Sequence, residues 1–298
     1  MKSLPLLLIT LCFAMTHVSA QSFNFEIASE GSAPVLLGKI NKDGLLTTSY
    51  LDWFQKNYDT YQPNTAIVQH IEPELKEYTI TAFMGTWCGD SKREVPRLYK
   101  ILDAVAFPLD RLTMIAVSRD RDHYKQSPGG EEEGLNIHRV PTFIFYKNGK
   151  EINRIVESPV ETLEADIASI LNGTYTSNYH AVSLVSNLLA EVPLEKFEKK
   201  SSKILPKLIS LATKYSELNT YSNVLFTSGK QEEAIAVALL NTKVFPNETS
   251  VYINLANKLH ITSNLAEAQK YYEKALALDP NNEQIQTTLS TLKLSASN

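Results

Sequence analysis

Short, continuous apolar runs mark the first half of the chain, and the spacing of the residues between them is helical. The runs at 78–84 and 112–117 predict two buried strands, and Val95, Leu98 and Leu102 between them fall on one face of a helix. Two further β-rich runs, at 141–146 and 151–156, flank a turn that contains asparagine followed by glycine, which is the strongest short signal for a hairpin. Strand, helix, strand and hairpin therefore predict an α/β fold.

The remaining segments of this half complete the picture. Apolar positions at 163–171 predict a closing helix. Residues 118–135 are polar, with Pro128-Gly129-Gly130 inside them, and predict a solvated loop. Residues 21–45 are polar with scattered apolar positions, and we interpret them as an N-terminal lead-in.

Strand patterns stop after Gly173, and the rest of the chain predicts helices. Residues 180–215 are helical, with Pro193 and Pro206 expected as breaks. A period of 34 residues follows, because Pro246 and Pro280 are one period apart, as are Ala234 and Ala268. The second copy resembles a tetratricopeptide repeat at these positions: Tyr252, Leu255, Ala256, Leu259, Ala268, Tyr272, Ala275, Asp279 and Pro280.

The resemblance implies an all-α tetratricopeptide-like domain over residues 180–298. Stacked repeats of this kind bury a continuous core and leave a concave face for a peptide or a helix. The first copy is weaker, with Ser222 and Asn241 at positions where small residues are usual, and the helices at 180–215 and 283–293 are expected to complete or cap the array. A domain that only packs, without a ligand, is the alternative.

The segment Trp87-Cys88-Gly89-Asp90-Ser91, directly after the first predicted strand, carries the candidate chemistry. Together with Lys92, Pro96 and the stretch Arg139-Val140-Pro141-Thr142, it resembles the active-site helix and the cis-proline segment of thioredoxins. This resemblance covers about 78–173, more loosely from Gly38, and implies a thioredoxin-like domain over 46–173 with a cis bond before Pro141 facing Cys88.

Two positions depart from the thioredoxin pattern, and both affect the release of a bound partner. Ser91 stands where the second cysteine of the motif is expected, and Ala82, six residues before Cys88, stands where the family has a buried aspartate. In ordinary thioredoxins the second cysteine, helped by a base, resolves the mixed disulfide that the first cysteine forms. The chain therefore keeps the attacking sulfur and lacks the resolving residues.

The predicted roles follow from this comparison. Cys88 at a helix N-terminus is the candidate nucleophile, because free N–H groups and the helix dipole favour the thiolate. Ser91 is expected to donate a hydrogen bond to that thiolate. The substrate-binding surface is expected to consist of Trp87, Gly89, Val140 and Pro141, with the Val140 backbone pairing to an extended substrate. An inert cysteine retained in a thioredoxin fold is the alternative.

Other chemistry finds little support in the sequence. His138, three residues before Pro141, is either a base for Cys88 or, as we prefer, a histidine of a solvated loop. The other histidines show no metal-ligand spacing with one another or with Cys88, so we expect neither a metal nor a cofactor. Peroxide reduction through a sulfenate is a weaker possibility, because no resolving cysteine is present.

The N-terminus predicts export. Residues 1–20 contain Lys2, an apolar core and the small residues Val18-Ser19-Ala20, the pattern of a secretory signal peptide. Acylation at Cys12 is disfavoured by the preceding Leu11. After cleavage Cys88 is the remaining cysteine, and the mature chain is expected to be soluble in a periplasm or outside the cell.

Composition narrows the partners. The formal net charge is −4, and no stretch is both strongly basic and aromatic, which argues against nucleic acid and anionic lipid. The expected partners are protein or small-molecule thiols and disulfides at Cys88, and a peptide or helix on the repeat face. The favoured function is monothiol–disulfide exchange, and the contrasting hypothesis is a non-catalytic adaptor that binds proteins through both domains.

Overall fold

The structure is a computed structural model that describes residues 23–29 and 32–296. Its first half is built around one mixed sheet with strand order β1-β2-β4-β3-β5-β6. The strands are β1 (Phe25–Ser29), β2 (Ser32–Ile40), β3 (Thr79–Met84), β4 (Leu112–Ala116), β5 (Thr142–Lys147) and β6 (Lys150–Val156). The helices of this half are α1 (Lys42–Leu45), α2 (Leu51–Thr60), α3 (Thr65–Leu75), α4 (Gly89–Ala104) and α5 (Leu163–Leu171).

The centre of the sheet confirms the predicted strands and hairpin. β3 and β4 are parallel, with Ala82 opposite Met114, because α4 connects them by a crossover. β5 pairs with β3 and then with β6, both antiparallel, and Asn148 and Gly149 at the turn have positive φ values of 53° and 74°. The α/β class predicted for this half is therefore correct.

The interpretation of 21–45 as a lead-in is wrong for its described residues. β1 and β2 form an antiparallel hairpin, and β2 pairs with β4 through Gly38 and Ala116. β1 is the edge strand of the sheet and β2 lies next to it, so the polar and apolar residues of this hairpin mix in a pattern unlike that of the buried central strands. Leu36 and Ile40 are buried, and the Leu36 N–H donates to Thr86 Oγ1 at 3.2 Å, which ties the strand to the turn before Cys88.

The two faces of the sheet are covered differently. One face packs against α2 to α5 in a large apolar core, where the Phe54 and Tyr99 rings lie 5.8 Å apart. The other face carries Phe83, Ile115 and Ile144, against which residues of the segment before β5 pack. The polar loop after β4 therefore comes close to the active-site end of the sheet.

The second half is helical, as predicted. Each of the pairs α8–α9 and α10–α11 packs as a helical hairpin, and Ala234 and Ala268 are fully buried at equivalent positions in the two pairs. Small residues there let the two helices approach closely. The helices are α6 (His180–Glu191), α7 (Leu194–Leu211), α8 (Ser216–Thr227), α9 (Gln231–Val244), α10 (Thr249–Ile261), α11 (Leu265–Leu278) and α12 (Glu283–Ala296).

The expected break at Pro206 is absent from the structure. Pro193 precedes the first residue of α7, but Pro206 lies inside that helix. A proline in a helix removes one backbone hydrogen bond. α7 continues because Phe197 and Leu208, on either side of it, are both buried in the apolar core of the helical half.

The two halves are in contact through the segment between β4 and β5. Gln126 Nε2 donates to the Thr227 carbonyl at 2.7 Å, and Arg139 Nη2 donates to the Ser216 carbonyl at 3.1 Å, both on α8. Asn136 Nδ2 donates to Ser186 Oγ of α6 at 2.9 Å. None of the helices in the described part of the chain has the length and apolar character needed to cross a membrane.

Candidate active site around Cys88

Cys88 lies at the N-terminus of α4, in the turn that follows β3. It is the N-cap residue with extended backbone, its N–H donates to the Gly85 carbonyl at 2.9 Å, and its own carbonyl accepts from Lys92 N–H at 3.0 Å. The residue is partly exposed, and its thiol is free. A sulfur in this position lies at the positive end of the helix dipole.

The Val140–Pro141 bond is cis, as predicted, and it faces the sulfur. Cys88 Sγ–H donates to the Val140 carbonyl oxygen at 3.2 Å. This contact brings together two segments that are far apart in the sequence, with the backbone before the cis-proline directly beside the thiol. Val140 and Pro141 are both buried, so their side chains belong to the packing beneath the sulfur.

Trp87 and Gly89 border the sulfur on either side along the chain. The Trp87 indole N–H donates to the Val117 carbonyl at 2.9 Å, which fixes the ring against the end of β4. A Cβ at Gly85 would lie 2.5 Å from Trp87 Cε2, so the ring position requires glycine there. Gly89 is exposed and its missing Cβ would meet open space, which leaves room beside the thiol.

Ser91 is placed differently from the sequence-based expectation. It is fully buried, and its Oγ accepts the Gly85 N–H at 3.1 Å. Among the described residues, Ser91 Oγ bonds to Gly85 and Cys88 Sγ bonds to Val140, and no hydrogen bond joins the two side chains. The serine hydroxyl holds the turn before Cys88 in place, because Gly85 would otherwise have a buried N–H without an acceptor. Ala82 is likewise fully buried in the core of the sheet.

His138 is buried and is therefore not the solvated loop histidine that we preferred. Its hydrogen bonds among the described residues do not include one to Cys88. Only 7% of His138 is exposed, because α6 and α8 cover the segment before β5. Its ring is edge-on to Tyr179 and Tyr221, and its Nδ1 lies 3.1 Å from the Asn136 carbonyl. Burial lowers the pKa of His138 to about 3, so the ring is neutral at ordinary pH.

Lys125 is a charged residue of the site that the sequence analysis did not single out. It comes from the polar loop after β4, where its backbone has a φ of 59° and its N–H donates to the Ser118 carbonyl at 3.0 Å. This conformation turns the side chain inward, and only 4% of Lys125 is exposed. Its Nζ donates to Tyr124 Oη at 2.6 Å.

The electrostatics connect Lys125 to Cys88. The pKa of Lys125 is lowered to about 7, first by burial and then by the positive charge of Arg139, while negative charge on Cys88 and Glu157 acts to raise it. A lone lysine in a polar loop gives no sequence signal of this kind, since its burial depends on the contact between the two halves.

Two arginines near the site are paired with carboxylates. Arg139 Nη1 contacts Glu157 Oε1 at 3.1 Å, and Arg93 contacts both Asp90 at 2.7 Å and Glu94 at 2.5 Å. In the part of the chain that the structure describes, no three His, Cys, Asp or Glu side chains lie together as a metal site would need. The arrangement is thus a thiol at a helix terminus, a backbone carbonyl and a buried lysine, which is chemistry for a nucleophile.

Comparison with known proteins agrees with this geometry. A thioredoxin family model matches residues 64–169, and a tetratricopeptide repeat model matches residues 250–282. A thioredoxin of Malassezia sympodialis is 36% identical over 85 residues, which are 28% of this chain and 73% of that protein. A thioredoxin of Chlamydia trachomatis serovar D is 34% identical over 25% of this chain and 63% of its own length. Thioredoxin H-type 1 of Nicotiana tabacum is 29% identical over 32% of this chain and 67% of its own length.

The fold, the Cys88 turn and these matches define a thioredoxin-fold protein with an attached helical repeat domain. The chain belongs to the thioredoxin family. Its thioredoxin-like half suggests thiol–disulfide redox chemistry, and its tetratricopeptide half suggests interaction with proteins.

Proposed function

We propose that the chain carries out thiol–disulfide exchange through one cysteine, Cys88, on protein or small-molecule partners. The observation that supports this most is the position of the Cys88 sulfur, at the start of α4 and 3.2 Å from the carbonyl that precedes cis-Pro141. Serine stands at the position of the resolving cysteine and is buried. Attack is therefore favoured, while internal resolution has no second thiol among the described residues.

The exchange conserves electrons within the pair of reactants. The Cys88 thiolate attacks one sulfur of a partner disulfide, a new bond forms between Cys88 and that sulfur, and the old sulfur–sulfur bond breaks. The departing sulfur leaves as a thiolate and takes a proton from solvent. An outside thiol then attacks the mixed disulfide, releases Cys88 and remains joined to the partner's sulfur.

Lys125 assists in this proposal by holding a positive charge near the sulfur. Ser91 supports the turn through Gly85 rather than acting on the sulfur itself.

The partner would dock on Trp87, Gly89 and the segment Val140–Pro141. An extended substrate would pair with the Val140 backbone, and its arrival would displace the Cys88 thiol from the Val140 carbonyl. Gly89 leaves space for the partner beside the sulfur.

The location and the domain limits belong to the same proposal. We propose that residues 1–20, which lie outside the described part of the chain, are a signal peptide and that the mature protein acts in a periplasm or outside the cell. We also propose that the thioredoxin-like domain ends near Gly173 and that the helical domain begins near 180.

Insulin reduction tests the function. The wild-type protein should reduce insulin poorly without a small thiol, because each molecule stops at the mixed disulfide, and dithiothreitol should restore turnover. A Cys88→Ser variant should be inactive under both conditions beyond the background of dithiothreitol alone. A wild type that turns over insulin rapidly with only a thioredoxin reductase as electron donor would show that Cys88 is resolved by another route.

A non-catalytic adaptor is the second candidate, and the open groove between the two halves favours it. An adaptor would bind its partners equally well with Cys88→Ser, and no partner would be recovered on a disulfide. Capture of partners from the native host by wild type and by Cys88→Ser, compared with and without dithiothreitol, separates the two functions.

A further inference from the structure

A groove of about 560 Å³ lies between the thioredoxin-like half and the concave side of the helical half. The loop after β4 forms one wall with Arg121 and Tyr124. Helices α8 and α10 form the other, where Asn223, Asn254 and Lys258 lie. The groove is therefore built by both halves together.

Lys258 is the unusual residue of this groove. Only 4% of it is exposed, although lysine is rarely buried without an acidic partner. Its Nζ donates to the side-chain oxygens of Asn223 and Asn254 and lies 5.6 Å from the centre of the Phe226 ring. The partners of its Nζ among the described residues are these two amides and not a carboxylate, and burial lowers its pKa to about 7. The helical half thus holds a buried positive charge that neutral amides stabilise only in part.

The amides that hold Lys258 are themselves fixed. Asn254 Nδ2 donates to Asn219 Oδ1 at 2.8 Å, and Asn241 Nδ2 donates to the same oxygen at 2.9 Å. This series of hydrogen bonds leaves the Asn254 side-chain oxygen free to accept from Lys258. An ammonium group has three donors, and the two amide oxygens use two of them. The third N–H remains for a ligand in the groove.

Tyr124 links the groove to the candidate active site. It lines the groove and accepts the hydrogen bond from Lys125, the buried lysine of that site. A polypeptide lying in the groove would therefore contact the loop that carries Lys125. Asp122 is the acidic residue of the lining, but it is exposed on the loop, whereas the cation is buried.

We propose that this groove binds an acidic segment of the protein whose disulfide Cys88 attacks, with one carboxylate of that segment on Lys258. The inference rests on the proposed function, since it names how that reaction selects its partner. The formal charge of −4 repels acidic peptides in general, so a preference for glutamate has to come from a local site.

Peptide binding tests the groove without the chemistry. Two fluorescein-labelled, cysteine-free peptides, (Ser-Glu-Gly)4 and (Ser-Gln-Gly)4, are titrated with the full-length reduced protein. The glutamate peptide should bind at least about tenfold more tightly, as one charge-assisted hydrogen bond allows. Lys258→Met should remove that difference, and Lys274→Met, which removes an exposed lysine of α11, should preserve it.

Two further measurements keep the test decisive. Arg121→Gln changes an exposed loop residue that cannot unfold the core, and it should weaken binding of the glutamate peptide about threefold. Equal binding of the two peptides, or glutamate binding that survives Lys258→Met, overturns the inference. Displacement of the peptide by acetate at matched carboxylate concentration would mean a site for free small carboxylates, which also overturns it.

A reactive version of the peptides separates this inference from the proposed function. Each peptide carries one cysteine as a mixed disulfide with thionitrobenzoate, placed at increasing distance from its single glutamate or glutamine. At one spacing the glutamate peptide should react about tenfold faster than its glutamine match, and only with Lys258 present. Reaction at equal rates defeats the groove and leaves the exchange intact, whereas binding without any reaction defeats the exchange and leaves the groove intact.

Discussion

Among the described residues, each half of the molecule buries one lysine, and the two lysines differ in their surroundings. Lys125 in the thioredoxin-like half interacts with the charges of Arg139, Cys88 and Glu157. The contacts described for the Lys258 side chain in the helical half are with amides and an aromatic ring. Burial lowers the pKa of both to about 7. A buried lysine is costly to folding, and such groups concentrate at functional sites.

The difference separates two tasks. In our two proposals, the first lysine supports the reaction of Cys88, and the second binds a carboxylate from outside the chain. Tyr124, in the loop after β4, accepts the hydrogen bond from Lys125 and also lines the groove that contains Lys258.

The largest expected effect comes from giving the thioredoxin-like half the thiol that it lacks. Ser91→Cys should form an internal disulfide with Cys88 under mild oxidant and gain dithiol turnover on insulin, which the wild type lacks. It should lose about 1 kcal/mol of unfolding free energy, because the Gly85 N–H loses its acceptor. Adding Ala82→Asp should raise turnover further and reduce stability by burying a carboxyl group.

Lys92→Cys is the matched control, since it adds a thiol on the same helix one position further along. It should not pair with Cys88. A Ser91→Cys protein whose two thiols stay free under oxidant would mean that the turn at Cys88 does not have the geometry of a thioredoxin site.

The second effect concerns the contact between the halves. His138 has a pKa of about 3 when folded and about 6.5 when unfolded, so the unfolded state binds more protons between these values. Stability contributed by the neutral ring is complete above about 6.5 and is lost as pH falls. His138→Phe should therefore remove about 2 kcal/mol of the loss in unfolding free energy between pH 7 and 5.

Urea unfolding at the two pH values measures this effect. His123→Gln, which changes an exposed histidine of the neighbouring loop, should keep the acid sensitivity of the wild type. An unchanged acid slope in His138→Phe would contradict the burial of His138 between the halves.

The smallest effect separates the two lysines directly. Lys125→Met should slow exchange between Cys88 and the uncharged 2-hydroxyethyl disulfide about tenfold at pH 7, because the thiolate loses one nearby positive charge. Lys258→Met should leave that rate unchanged, because this disulfide has no carboxylate for the groove to bind. The exchange rates of the two variants are measured by stopped flow. Equal slowing in both would mean that the two lysines do not have separate roles.

The sequence predicted most of the sheet and the position of the thiol. The apolar runs at β3, β4 and β5 are buried on both faces, so their composition alone identifies them. The asparagine–glycine turn fixed the hairpin, and the segment before Pro141 carried the cis bond. These features depend on residues close together in the chain or on motifs with fixed spacing.

The features that the sequence did not predict depend on long-range contacts. β2 is recognised only once β4 pairs with it. Lys125 and His138 look like ordinary loop residues, and both are buried because the segment between β4 and β5 packs against α6 and α8. Ser91 was expected to face the sulfur, whereas the helix turns it toward Gly85.

The rate of Cys88 with glutathione disulfide tests the central claim most directly. The second-order rate constant at pH 7 is measured by intact mass for wild type and compared with that of free glutathione thiol exchanging with the same disulfide. The account predicts that Cys88 reacts at least about tenfold faster and that the mixed disulfide persists until an outside thiol is added. A rate equal to or below that of free glutathione would mean that Cys88 is an inert cysteine in a thioredoxin fold, and the proposed exchange would be wrong.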